Sequence, residues 1–253
     1  MEKQVPHLAV LIDAENAQLA ILAELLEEIA KIGTASVRRV YGDFTNQGLS
    51  SWRDPMLAHS MQPIQQFRNT IGKNASDCAL IIDAMDLLHS KRFDGFCIVS
   101  SDSDFTRLAG RIREEGVMVY GFGERKTPKS FVAACDKFIY TEILRKPARE
   151  PSERVKQRAE LPGNLKDLAP RLIGAVQSSA DEAGWTSLGQ LGNLLTNHIP
   201  DFDPRHYGFP KLSTLIESIG LFEIQKRGHD QNPQIFVRLN RSPKIAKPAS
   251  AKT

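Results

Sequence analysis

The sequence predicts an α/β fold, a three-layer sandwich with a mainly parallel sheet, followed by a small winged-helix second domain. Three observations carry this. Short apolar runs alternate with amphipathic helical patterns as far as residue 145, the signature of a sheet built from strand–helix–strand crossovers. Two of those runs stop abruptly at polar tips, one at Asp13-Ala-Glu-Asn16 and one at Ser100-Ser-Asp-Ser-Asp104, and the carboxyl ends of parallel strands are where open α/β sheets put their ligand sites. Beyond residue 164 the pattern changes to three helices and an alternating hairpin.

In chain order, residues 8–12 form the first strand, and a helix runs from there to about Lys31 with Leu19, Leu22, Leu26 and Ile29 on one stripe. Gly33 ends it. Residues 35–41 are a second strand, 42–51 a loop, 52–60 a short helix, and 63–68 a less apolar strand suited to a sheet edge. A polar loop precedes a helix from about Asp77 to Leu88, with Leu80, Ile81, Ala84, Leu87 and Leu88 as its apolar face. Residues 96–99 make a compact strand, and from Asp104 the period becomes helical, with Phe105, Leu108, Ala109 and Ile112 three and four apart. That helix ends near Gly116. Residues 117–122 give another strand, followed by a loop, a short helix and a last apolar segment, 138–144. Residues 146–163, rich in charge and proline, read as a linker. The second domain spans 164–240, and the basic Pro/Ala stretch 241–253 reads as disordered.

Composition bounds the function. With 253 residues, 41% hydrophobic and 25% charged, the chain can bury two cores, and wholesale disorder is excluded. Its apolar runs are too short and too often broken by acids to span a membrane, and the opening Met1-Glu-Lys-Gln-Val-Pro6 lacks the apolar core of a signal peptide. Three cysteines without Cys-x-x-Cys pairing, each in apolar context, read as buried thiols in a reducing cytoplasm. The net charge of +3 conceals a split: 17 Lys+Arg against 19 Asp+Glu through Arg145, then 16 against 11 from Lys146 onward. An acidic domain ahead of a basic one suggests divided labour, with the basic part a candidate for polyanion binding.

Parallel-sheet geometry gathers Asp13 and Asn16 after the first strand, Asp77 at a helix start, and Asp102 and Asp104 after the fourth strand. Carboxylates so gathered repel by roughly 1–4 kcal/mol per close pair, and they shift pKa or recruit a cation. With no His or Cys interleaved, the donor set is all oxygen, which suits Mg²⁺ or Mn²⁺ better than Zn²⁺. Helix capping explains each residue alone, since Asp and Asn are favoured N-caps, and spacing leaves capping and cation binding equally open. No Gly-x-Gly-x-x-Gly follows a strand, and Asp-x-Asp does not follow the first one, so neither a dinucleotide enzyme nor a haloacid-dehalogenase-type phosphatase is supported.

Leu11-Ile-Asp-Ala-Glu-Asn16, Lys73-Asn-Ala-Ser-Asp77 with Asp83 six residues on, and Val99-Ser-Ser-Asp-Ser-Asp-Phe105 resemble the NYN domain family, a branch of the PIN-like nucleases. The resemblance covers about residues 5–145 and implies a PIN-like metal-dependent ribonuclease. Carried over by position, Asp13, Asp77, Asp102 and Asp104 would hold the metal, directly or through water, and Asn16 would orient a ligand. Asp83 lies about 120° around the helix from Asp77, which fits a structural partner as well as a site. Lys73 is a candidate for meeting a phosphate, beside Arg107, Arg125, Lys126 and Lys129.

Gly184-Trp-Thr-Ser-Leu188 and Asp201-Phe-Asp-Pro-Arg-His-Tyr-Gly-Phe-Pro-Lys-Leu212 resemble the LOTUS domain, also called OST-HTH, a winged-helix family associated with RNA binding. Arg205, His206, Tyr207 and Lys211 would flank the start of its third helix, and Lys226, Arg227, His229 and Arg238 would decorate the wing. Basic side chains beside an aromatic suit phosphate contacts and base stacking, whereas Trp185 and Phe209 read as anchors of core or loop. Winged helices also dock proteins, so a protein partner is the second expectation for this domain. The resulting expectation is a cytoplasmic Mg²⁺- or Mn²⁺-dependent ribonuclease to which the second domain brings RNA. Its rival is a non-catalytic RNA-binding adaptor.

Overall fold

The computed structural model describes residues 5–67, 75–145, 163–227 and 234–240, apart from the side chains of residues 163, 164 and 166. The chain divides into two compact units, one made essentially of the residues up to Ala148 and the other essentially of those from Arg149 onward. Most of the expected linker, the 241–253 tail, Lys73 and His229 lie outside the described residues.

In the first unit, β1 (His7–Asp13), β2 (Thr34–Gly42), β3 (Gln62–Gln65), β4 (Gly95–Val99), β5 (Met118–Gly123) and β6 (Lys137–Tyr140) form one sheet in the order β3-β2-β1-β4-β5-β6. Every pairing is parallel. The period-two rule separates two cores. Ala9 and Leu11 of β1 join one apolar cluster with Phe96 and Ile98 of β4, whereas Leu8, Val10 and Ile12 join another with Cys97 and Val99. The first cluster is closed by α3 (Ala75–His89), α4 (Thr106–Glu114) and α5 (Lys129–Ala134), and the second by α1 (Leu22–Ala30) and α2 (Arg53–Ala58). This is the three-layer arrangement expected, and the less apolar β3 is an edge strand.

Details differ where local packing overrides periodicity. A single 3-10 turn, Leu19–Ile21, precedes α1, and the buried apolar residues of α1 are Leu22, Leu25 and Ile29, with Leu26 only partly covered. Helix α3 starts at Ala75, which puts Asp77 in its first turn and not at a cap. The expectation of three buried thiols fails at Cys78, which is exposed, because position 78 lies off the Leu80, Ala84, Leu87 and Leu88 stripe. Cys97 and Cys135 are buried as expected, and burial pushes both thiols up, Cys135 to about 12.

The second unit holds α6 (Gly163–Ser179), β7 (Thr186–Ser187), α7 (Leu188–His198), α8 (Leu212–Ile219), β8 (Phe222–Arg227) and β9 (Gln234–Leu239). Its three strands are antiparallel in the order β7-β9-β8. Leu165, Leu168, Leu172 and Val176 of α6, Leu191 and Leu195 of α7, and Leu215 and Ile216 of α8 are buried, an apolar stripe from each helix. Gly220 ends α8 at φ +70°, a conformation that costs glycine little. Three helices with a short sheet and hairpin make a winged helix. No described helix is long and apolar enough to cross a membrane.

Candidate metal centre

Strand order decides where the acids meet. From β1 the chain runs outward through β2 to β3, then returns to β4 on the other side of β1 and runs outward again to β6. The switch point therefore lies between the carboxyl ends of β1 and β4, where crossovers leave in opposite directions and a crevice opens. The register pairs Ile12 with Val99, so Asp13 and Ser100 leave the sheet side by side.

Asp13 is 1% exposed, and its carboxylate is saturated with donors. Oδ1 accepts the backbone N–H of Glu15 at 3.0 Å and of Asn16 at 3.3 Å, while Oδ2 accepts the Asn16 amide and the Ser100 hydroxyl, each at 2.8 Å. Burial pushes the Asp13 carboxyl up, against the lowering effect of those hydrogen bonds. Ser100, also 1% exposed, accepts the Asp102 backbone N–H at 3.1 Å.

Asp102 is the N-cap of the 3-10 turn Ser103–Phe105 that leads into α4, its Oδ1 accepting the Asp104 N–H at 3.0 Å. Asp77 comes from α3, where the crossover after β3 passes over the sheet. One carboxylate oxygen each of Asp77, Asp102 and Asp104 can be chosen so that all lie within 4.8 Å of one another. Burial first, and then the charges of Asp13, Asp102, Glu15 and Asp104, push the Asp77 carboxyl up to about 6. Carboxylates crowded together, each making the next harder to ionise, have this signature. The convergent group is all carboxylate, a donor set that fits a hard divalent cation.

Of the residues expected at the site, Asp77, Asp102 and Asp104 converge, Asp13 lies near enough for its charge to act on Asp77, and the exposed Asn16 is held against Asp13. Asp83 lies elsewhere, accepting from Arg39 and from the Tyr41 hydroxyl, each at 2.9 Å. Two residues were not assigned a role from sequence. Ser100 ties the two strand tips together, and Glu15, which accepts the Ser76 hydroxyl at 3.3 Å, adds charge at Asp77. Both stand inside the motifs quoted above, which was the only available signal. Lys126, a candidate phosphate contact, pairs with Glu124 at 2.9 Å.

In the second unit, the 3-10 turn Pro204–Tyr207 carries Arg205, His206 and Tyr207. The Arg205 side chain is folded onto Asp203, with Nη2 to Oδ2 at 2.7 Å and Nε to Oδ1 at 3.0 Å. Burial works to raise the Asp203 carboxyl, but hydrogen bonds from Arg205 hold it below the usual range. Tyr207 packs on Phe202 with ring centroids 6.2 Å apart. Lys211 is exposed at the N-cap of α8, and Lys226 is exposed on β8. Arg227 lies over Trp185 and over Phe236, in both cases 4.7 Å from the ring centroid. Trp185 is thus neither a core nor a plain loop anchor: it is half-buried, with a second arginine, Arg238, 4.6 Å from its ring.

The chain matches the NYN domain over residues 7–144 and the OST-HTH/LOTUS domain over residues 163–233. Among solved structures, a protein of unknown function from Vibrio parahaemolyticus is 16% identical, with a TM-score of 0.46, over 55% of this chain and 94% of that one. An uncharacterized protein from Nitrosomonas europaea is 27% identical, with a TM-score of 0.29, over 39% of this chain and 90% of that one. A protein from Chromobacterium violaceum is 25% identical, with a TM-score of 0.26, over 30% of this chain and 82% of that one. No curated protein matches the chain. With more than half of its length matched, the chain belongs to the NYN domain family, and it carries an OST-HTH/LOTUS domain behind the NYN domain.

Proposed function

We propose that this protein is a metal-dependent ribonuclease whose NYN domain hydrolyses RNA phosphodiester bonds and whose OST-HTH/LOTUS domain binds the RNA. The observation that carries the reading is the meeting of Asp77, Asp102 and Asp104, from two separate crossovers, within 4.8 Å at the sheet's switch point. In this reading Asp77, Asp102 and Asp104 would hold Mg²⁺ or Mn²⁺, with Asp13, its lone pairs already taken by four donors, contributing its charge from behind them. A bound ion of this kind supplies Lewis acidity, lowering the pKa of water and offsetting charge on the scissile phosphate.

The chain's own residues do the rest. Asp13 and Ser100 hold the two strand tips in register, and Asn16 is kept at the rim by its amide bond to Asp13. Asp77 can hold a proton near neutral pH and release it when a cation takes its place. A cytoplasmic setting belongs to the same proposal, in keeping with the three cysteines unpaired in disulfides.

The deciding experiment incubates the purified full chain with labelled single-stranded RNA and Mn²⁺ or Mg²⁺, beside Asp102→Asn. Cleavage by the unaltered chain that the variant loses supports the reading. Equal background from both preparations refutes it. One observation favours the rival, a non-catalytic RNA-binding adaptor: Asp102 already caps a turn, a structural duty that would keep it without catalysis.

A further inference from the structure

The hairpin of the second unit has two faces, and they differ in kind. The register pairs Glu223 with Arg238, Gln225 with Phe236 and Arg227 with Gln234. These six residues share one face by the two-residue period. The intervening residues include the buried Phe222 and Val237, so theirs is the inward face and the first set looks outward, with Gln225 and Gln234 exposed.

Trp185, just before β7, lies over that outward face. The Arg227 guanidinium is 4.7 Å from the ring centroids of both Trp185 and Phe236, and that of Arg238 is 4.6 Å from Trp185. Arg238 is neutralised by Glu223. Arg227 is not: its Nε donates to Gln225 Oε1 at 2.9 Å, and it has no carboxylate partner among the described residues. An uncompensated arginine, fixed in plane by two rings, has already lost the side-chain entropy that binding would cost and keeps free N–H donors for a two-pronged phosphate contact.

We propose that this outward face of the β7–β9–β8 sheet, centred on Trp185 and Arg227, is the surface on which the second unit takes single-stranded RNA, the Arg227 fork gripping a phosphate and the half-exposed rings receiving bases. The proposal rests on the RNA-binding reading above and shifts its centre. The start of α8, the other place where the sequence put contacts, is the poorer site, because Arg205 is already bonded to Asp203 and Tyr207 packs on Phe202.

The test titrates the full chain into fluorescein-labelled single-stranded RNA, read by anisotropy at several salt concentrations. Arg227→Met, which keeps the packing stem and removes the charge, should weaken binding roughly tenfold and flatten the salt slope by about one. Trp185→Leu should also cost roughly tenfold through lost stacking, and Arg205→Met no more than about twofold. Trp185 helps hold the sheet together, so Arg227→Lys gives a second measure if Trp185→Leu unfolds. It keeps the charge and loses the planar fork, and should bind nearly as weakly as Arg227→Met. If the unaltered chain binds RNA and the Arg227 variants match it to within about twofold, the surface assignment is overturned and the RNA reading stands. If the unaltered chain binds no RNA, both fall, and a protein partner becomes the occupant to pursue.

Discussion

The Ser100 hydroxyl donates to Asp13 Oδ2 at 2.8 Å while accepting the Asp102 N–H at 3.1 Å, so one buried side chain joins the tips of two strands 87 residues apart. Together with the Asn16 amide and two backbone N–H groups, it occupies all four lone-pair directions of the Asp13 carboxylate. Ser100→Ala should destabilise the protein by about 1–3 kcal/mol, because the Asp102 N–H loses its buried partner. It should also weaken Mn²⁺ binding, and Ser100→Thr should restore both. Urea unfolding and calorimetric titration would check this, and an alanine variant that binds Mn²⁺ as tightly as the parent would refute the second part.

Asp77 sets a pH dependence. Its carboxyl is lifted from 3.8 to about 6 by burial and by its acidic neighbours. The folded protein therefore holds this proton more tightly than the unfolded chain. The associated stability is full below about pH 4 and is lost as pH rises through about 6. A divalent cation binds the ionised form and relieves the repulsion. Thermal unfolding should show Mn²⁺ raising Tm more at about pH 7.5 than at about pH 5. Equal shifts at the two pH values would count against a cation at Asp77. Asp77→Asn should be the more stable protein without metal at the higher pH, and should lose the Mn²⁺ shift.

Asp83 serves as the internal control. It is a second aspartate on the same helix, but it accepts from Arg39 and Tyr41. Asp83→Asn should cost about 1–2 kcal/mol and leave the Mn²⁺-induced Tm shift unaltered. A variant that abolished the shift would draw Asp83 into the centre.

Gly123 couples the next strand to the site. A Cβ there would stand 2.6 Å from both the Ser100 carbonyl oxygen and the Thr127 hydroxyl. Gly123→Ala should cost about 1–3 kcal/mol through overpacking and lower Mn²⁺ affinity by displacing the β4 tip. A variant with parental stability and affinity would show that the tip has room to move.

Much of this was local, and so legible. The apolar runs that became β1 and β4, the Phe105, Leu108, Ala109 and Ile112 stripe, and the acids at the strand ends all lie within a few residues of the signals that mark them. So did the helix–hairpin outline of the second unit. What was not legible depends on side chains far apart in the chain. Periodicity put Asp77 and Asp83 on one helix, and only the placement of α3 over the sheet turned one toward Asp102 and the other toward Arg39. Trp185 and Arg227 read as an anchor and a wing charge until pairing of β9 with both β7 and β8 stacked them.

By itself, then, the sequence determined the alternation of strands and helices, the two-domain outline and the acidic character of the strand tips, because these follow from residue period and type. The tertiary structure decided which carboxylates converge, that Asp13 is anchored by Ser100, and that Arg227 is clamped and uncompensated. Those outcomes depend on strand order and register, which bring side chains from distant segments to within hydrogen-bonding distance and which no local pattern encodes.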